Sequence, residues 1–194
     1  MEIVSFSDAL GKPQVRKRVL ESMVKGSVLV YPTDTIYGIG CNATLVSSVD
    51  KVREAKGRDA GKQFSVIAPG KEWISRNAAL SKMNLDLADK LLPGPYTIIV
   101  AAGKGAPKAV VSEEGSIGIR LPRHPFTRLV EEAGVPFVTT SVNASGGKPA
   151  TCLEEIPGEM KTFIDMALDA GVVDGQASRI FDFRTDDVKT MRRR

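Results

Sequence analysis

The chain has 194 residues, 42% of them hydrophobic and 26% charged, with a formal net charge of +4; this balance fits one soluble domain with a full core and excludes a disordered or fibrous chain. No apolar run approaches the ~20 residues that span a bilayer, and MEIVSFSDALGK lacks the basic flank and long apolar stretch of a secretory signal. Cys41 and Cys152 are the only cysteines, which excludes a disulfide framework or a cysteine metal box and suits a cytoplasmic protein.

In chain order, Val15, Val19, Leu20, Met23 and Val24 recur at helical spacing and predict an amphipathic helix over 14–25, stopped by Gly26. The β-branched run 27–31 predicts a short strand. Val49, Val52 and Ala55 predict a helix that runs to Lys56-Gly57-Arg58. Strands are expected at 64–68, 96–102, 117–121 and 137–140. Helices are expected at 85–92, ended by Pro93-Gly94-Pro95, and at 126–133. A further helix is expected over 160–170, closed by Gly171, with final strands at 172–173 and 180–183. Helices and strands alternate without an internal repeat, so the fold class is α/β with a mixed sheet. Loops 103–107 and 145–149 read as loops within one domain over 1–194, with a core at about 14–183 and a basic tail at 184–194. The excess positive charge favours anionic partners; Arg192-Arg193-Arg194 reads as a solvated tail, with an RNA contact as the alternative.

Several standard motifs fail. Residues 57–63 (GRDAGKQ) have one residue too few between their glycines for a phosphate loop, and Gln63 where a magnesium-binding Ser or Thr belongs. No G-x-G-x-x-G follows a strand. His124 is the only histidine and has no partner at metal-ligand spacing and no G-x-S-x-G elbow. It reads as a turn residue before Pro125, and neither a metal site nor covalent catalysis is expected.

What remains are polar clusters at element ends. YPTDTIYGIG (31–40) follows an apolar run with Thr33, Asp34, Thr35, Tyr37 and two glycines. It is either an ordinary turn or the place where a strand end meets a ligand. Pro32 ends the ladder, and Asp34 reads as tying the turn through its own backbone. Lys56, Arg58 and Lys62 place fork and point-charge cations around two glycines, which also describes a solvated helix end. Arg120 interrupts an apolar strand, and alternation sets it opposite Ile119 and Leu121, toward water or a ligand. Residues 139–146 (TTSVNASG) leave their strand as a hydroxyl and amide loop, suited to capping a helix or to binding phosphate and base. Such recurrence at element ends, where open α/β sheets form crevices, points to one anion-binding cleft.

YPTDTIYGIG, Lys56-Gly57-Arg58, Pro93-Gly94-Pro95-Tyr96-Thr97, Gly118-Ile119-Arg120-Leu121-Pro122 with His124-Pro125, and Ser141-Val142-Asn143-Ala144-Ser145-Gly146 together resemble, in order, the YrdC-like family of threonylcarbamoyl-AMP synthases. The resemblance spans about residues 14–183. It implies a twisted mixed sheet around a large basic cleft. It also implies a reaction in which L-threonine and bicarbonate form a carbamate that attacks the α-phosphate of ATP, releasing pyrophosphate, with magnesium as helper. The product would pass to a transfer complex that modifies tRNA. By the same resemblance Thr35 touches the threonine substrate, Arg120 holds its carboxylate, and Thr139 and Ser178 line that pocket. Lys56 and Arg58 are the catalytic cations on the nucleotide phosphates, and Lys62, Ser116, Ser141 and Asn143 complete the nucleotide side. Arg179 stands where the family has threonine, the family's closing Arg-x-Gly is replaced by DVKTMRRR, and SGGKP is one residue longer than the usual loop.

Two other readings stay open: a module that binds double-stranded RNA or tRNA in the same cleft, and a carbamoyl-transfer domain of hydrogenase maturation. Basic clusters without interleaved aromatics favour a small-ligand cleft over an RNA surface. The lack of acylphosphatase-like or zinc-finger segments favours a stand-alone synthase.

Overall fold

The computed structural model describes residues 1–57, 63–144 and 147–191. Its elements are β1 (Glu2–Ser5), α1 (Phe6–Gly11), α2 (Pro13–Lys25), β2 (Leu29–Tyr31), β3 (Gly38–Gly40), α3 (Val46–Ala55), β4 (Ser65–Ile67), α4 (Lys71–Asn77), β5 (Ala78–Ala79), α5 (Lys82–Leu91), β6 (Tyr96–Ala102), β7 (Ser116–Arg120), α6 (Phe126–Ala133), β8 (Phe137–Ser141), α7 (Gly158–Lys161), β9 (Met166–Asp169), β10 (Arg179–Asp182) and β11 (Lys189–Met191). All the strands join one sheet in the order β1-β9-β2-β3-β8-β4-β7-β6-β10-β11, with β5 on β6. The pairs β1·β9, β2·β9, β4·β7 and β6·β10 are parallel and the others antiparallel, so the sheet is mixed, as the alternation of elements implied.

Side-chain alternation gives the sheet two cores. One face carries Val30, Ile39, Val66, Ile98, Val100, Ile117, Ile119 and Val138, packed with Val49 and Val52 of α3 and Ala88 of α5. The other carries Leu29, Tyr31, Ile67, Phe137, Met166 and Leu168 under α1, α2 and α6, through Phe6, Val19, Met23, Phe126, Leu129 and Val130. The predicted α2 and α6 match closely, because their apolar stripes recur at helical spacing and Gly26 and Gly134 end them with left-handed backbone, φ 88° and 68°.

Three expectations are corrected. The helix expected over 160–170 stops at Lys161, and Met166–Asp169 is a strand between β1 and β2. Asp165 fixes the change: its carboxylate accepts from the Val28 amide at 2.8 Å, and its own amide donates to the Val28 carbonyl at 2.9 Å. Met166 and Leu168 then face one core and Ala167 the other, which is strand alternation, and a three-residue apolar run fits either period. Residues 172–173 form no strand; Val173 donates to the Thr151 carbonyl at 2.7 Å and Val172 is exposed. The buried residues also begin at Val4, because β1 and α1 add to the core ahead of residue 14, and β11 lies in the stretch read as a tail.

Tight spacing and burial yield two predictions. A Cβ at Gly40 would stand 1.6 Å from the Val138 carbonyl oxygen, whereas one at Gly158 would meet nothing within 4 Å. Urea unfolding should show Gly40→Ala losing about 3 kcal/mol and Gly158→Ala staying within about 0.5 kcal/mol of the parent. Burial pushes the Cys41 thiol up to about 12, while Cys152 is half-buried. Iodoacetamide at pH 8 should therefore label only Cys152 in the native protein and both cysteines in urea, as mass spectrometry would show.

Candidate functional site

The face that α1, α2 and α6 cover is not covered over its whole width. Along β8, β4 and β7, past Phe137 and Ile67, it carries small polar side chains and glycine: Ser141 beside Gly38, Thr139 beside Ser65, Ser65 beside Gly118. Ile117 and Ile119 point into the opposite core, so Ser116, Gly118 and Arg120 point to this side. The result is a crevice floor of hydroxyls with one arginine at its end.

YPTDTIYGIG builds the boundary of that crevice. The Tyr31 ring folds back over β3, where a Cβ on Gly38 would come within 2.8 Å of it. It stacks on Phe126 with centroids 3.9 Å apart and donates its hydroxyl to the Val138 carbonyl at 2.9 Å; burial raises its pKa and keeps it protonated. The loop after it is knotted by Thr33, whose Oγ1 donates to the Ile36 carbonyl at 2.7 Å and accepts from the Thr35 and Ile36 amides at 3.1 and 3.3 Å. Tyr31 pairs with Gly38 and Gly38 with Ser141, while Arg120 pairs with Ile67 and Ile67 with Phe137. Those two rows are four residues, about 13 Å, apart along the sheet, so the loop crosses the open face to reach Arg120.

There the Arg120 Nη2 donates to Thr35 Oγ1 at 3.2 Å and to Asp34 Oδ1 at 3.3 Å, and Asp34 Oδ2 accepts from the Arg123 amide at 2.9 Å. Arg120 is 5% exposed and Thr35 2%. The alternative in which Arg120 faces water is thus overturned, and so is the reading of Asp34 as a residue that only ties its own turn. Thr97 precedes Ile98, whose partner is Ile119, so it lies in Arg120's row; its hydroxyl meets that of Ser178 at 2.8 Å. Thr139 is buried on the same face. Residues 170–178 strap this end: Tyr37 donates its hydroxyl to the Gly171 carbonyl and accepts from the Ala170 amide, each at 2.9 Å. Gly175 lies so close over Thr35 that a Cβ would come within 1.9 Å of its carbonyl oxygen.

At the other end stand Ser116, whose hydroxyl meets that of Ser112 at 2.8 Å, and a cluster of Lys56, Ser141 and Asn143. Lys56 is 2% exposed, which rules out the solvated helix end for this residue. Its Nζ donates to the Ser141 carbonyl at 2.7 Å and to Asn143 Oδ1 at 2.9 Å. Arg58 and Lys62 lie outside the described residues, as do Ser145, Gly146 and Arg192 to Arg194. His124 stacks on Phe6 at 5.2 Å and accepts from the Phe126 amide at 3.2 Å, and burial lowers its pKa, which fits a neutral turn residue. Among the described residues no three His, Cys, Asp or Glu side chains cluster for a metal, and no helix is long and apolar enough to cross a membrane.

The sequence singled out Thr35, Arg120, Thr139, Ser178, Lys56, Ser116, Ser141 and Asn143, and all of them line or bound this one crevice. It missed Asp34, Arg123, Thr97 and Gly175. The first three carry a faint signal in their own motifs, since each adjoins or lies within PTDT, GIRLP-RHP or PGPYT. Gly175 carries none, because its neighbour is 140 positions away.

Residues 21–194 match the Sua5/YciO/YrdC family model, described as "Telomere recombination". A Methanocaldococcus jannaschii protein named putative threonylcarbamoyl-AMP synthase is 38% identical over 160 residues, 80% of this chain and 75% of that protein. A Xanthomonas campestris threonylcarbamoyl-AMP synthase is 32% identical over 174 residues, 86% of this chain and 92% of that one. Among solved structures, Sua5 of P. abyssi complexed with L-threonine shares the fold with a TM-score of 0.84 at 23% identity, over 92% of this chain and 54% of that one; the chain thus spans about half of that protein.

The Asp34–Arg120 pair is the most exposed to mutation. Asp34→Ala removes a carboxylate from a buried guanidinium and should lower stability by about 3 kcal/mol in urea unfolding. Asp34→Asn keeps an acceptor for the Arg123 amide and should lose less.

Proposed function

The chain belongs to the Sua5/YciO/YrdC family, and from that premise we propose that it is a threonylcarbamoyl-AMP synthase, an adenylyl-transferring enzyme acting on L-threonine, bicarbonate and ATP. The observation that supports this reading is the buried Arg120 at the end of a hydroxyl-lined crevice, in a chain whose relatives carry that name.

Arg120 is the fork for the threonine carboxylate, with Thr35, Thr139 and Ser178 shaping the pocket around the amino acid. The nucleotide lies toward Ser116, Ser141 and Asn143, with Lys56, Arg58 and Lys62 supplying positive charge. The threonine amine and bicarbonate condense to a carbamate with loss of water. A carbamate oxygen then attacks the α-phosphorus, the bond to the β-phosphate oxygen breaks, and pyrophosphate leaves. Such a displacement needs alignment and charge neutralisation rather than an enzyme nucleophile, which suits a crevice with cations and hydroxyls. Magnesium would supply charge neutralisation on the triphosphate, and no cluster of three His, Cys, Asp or Glu side chains among the described residues would hold it. The product serves a separate cytoplasmic complex that modifies tRNA.

Purified protein given ATP, threonine and bicarbonate should release pyrophosphate and yield threonylcarbamoyl-AMP by mass. Arg120→Ala should raise the threonine KM about 10- to 100-fold with little change in the ATP KM. Pyrophosphate release that ignores threonine would overturn the reading.

A further inference from the structure

Three chain segments meet at the Asp34 carboxylate. Its Oδ1 accepts from Arg120 Nη2 at 3.3 Å and its Oδ2 from the Arg123 amide at 2.9 Å, so one side chain grips both the guanidinium and the backbone just beyond it. Arg123 Nη2 in turn donates to the Pro93 carbonyl at 3.2 Å, and the Gly94 amide donates to the Leu121 carbonyl at 2.9 Å, which carries the frame to the segment before β6. The Asp34 side chain is 11% exposed and that of Arg120 7%. The turn that carries Asp34 does not need this carboxylate to keep its shape. Thr33 Oγ1 holds it by accepting from the Thr35 and Ile36 amides and donating to the Ile36 carbonyl. The Asp34 carboxylate is thus directed to Arg120 and Arg123 rather than to its own loop.

We propose that Asp34 is a positioning residue for the amino-acid end of the crevice: it sets the plane of the Arg120 guanidinium, and with it the fork that receives the substrate carboxylate, without touching the substrate. The proposal rests on the reading of Arg120 given above. A guanidinium presents its N–H groups in one plane, and an Arg side chain held only at its base keeps much rotamer freedom. Two acceptors on Nη2, Asp34 Oδ1 and Thr35 Oγ1 at 3.2 Å, fix that plane before a ligand arrives, which lowers the ordering cost of binding. Charge alone argues the other way. A carboxylate beside Arg120 repels a second carboxylate and weakens the pull on the substrate. Orientation and charge therefore predict opposite signs for neutralising Asp34.

The threonine and ATP Kd values are measured by calorimetry for the parent, Asp34→Asn, Arg120→Ala and the double variant. An amide offers one oxygen where a carboxylate offers two, so Asp34→Asn cannot serve both Arg120 and the Arg123 amide. It should weaken threonine binding about tenfold, the worth of one charged hydrogen bond, and leave the ATP Kd nearly unchanged. Because Asp34 acts through Arg120, adding Asp34→Asn to Arg120→Ala brings no further loss. Threonine binding by Asp34→Asn that equals or exceeds the parent's overturns the proposal, as does a double variant whose loss is the product of the single ones. Should Asp34→Asn fail to fold, Asp34→Glu is read by the same criteria; it keeps the charge but is one methylene too long to hold both partners. A parent that binds threonine and ATP yet releases no threonine-dependent pyrophosphate fails the synthase reading, while the cycle still decides the role of Asp34. A parent that binds no threonine overturns both.

Discussion

The Tyr31 side chain, laid across β3, sets the division on which the crevice depends. Its ring needs bare backbone beneath it, which Gly38 and Gly40 provide, and an aromatic face above it, which Phe126 provides. With its hydroxyl on the Val138 carbonyl, the ring seals the edge of the core under α1, α2 and α6. On one side of it the sheet is dry and apolar; on the other it is hydroxyl and glycine. The loop that follows has no place in the filled half, so it runs over the empty one. The course of the loop that carries Thr35 thus follows from where a single ring comes to rest.

Two buried cations among the described residues, Arg120 and Lys56, are held by different partners. Arg120 is set against a carboxylate and a hydroxyl, a pairing that offsets its desolvation but is fragile if either partner goes. Lys56 is set against carbonyl oxygens and an amide oxygen.

Much of this was readable from residues alone wherever the signal is local. The α6 stripe, the glycine stops at 26 and 134, and the strand YTIIVAA need no distant partner to be recognised. Arg120 could be placed on the polar face by alternation, but not known to be buried, because what buries it is a loop from 85 residues earlier. Asp34 failed for the same reason: a turn aspartate and one that reaches an arginine 86 residues away look alike in sequence. Met166–Asp169 was mistaken for helix because three apolar residues fit both periods, and the pairing that decides it lies with β1 and β2. Arg120, Ser116 and Ser141 share one face because each sits at a strand end, where a sheet of this class gathers its loops.

The insertion of β9 between β1 and β2 also orders events in time. Residue 2 must wait for residue 166, and residue 29 for the same partner. At the pace of translation the first strand exists for on the order of ten seconds before its neighbour is made. During that interval α1 and α2 have no finished sheet to cover, and two strand edges stand open. The half of the molecule that looks purely structural therefore stays open until β9 is made, as the opposite edge does until β10 and β11 follow it.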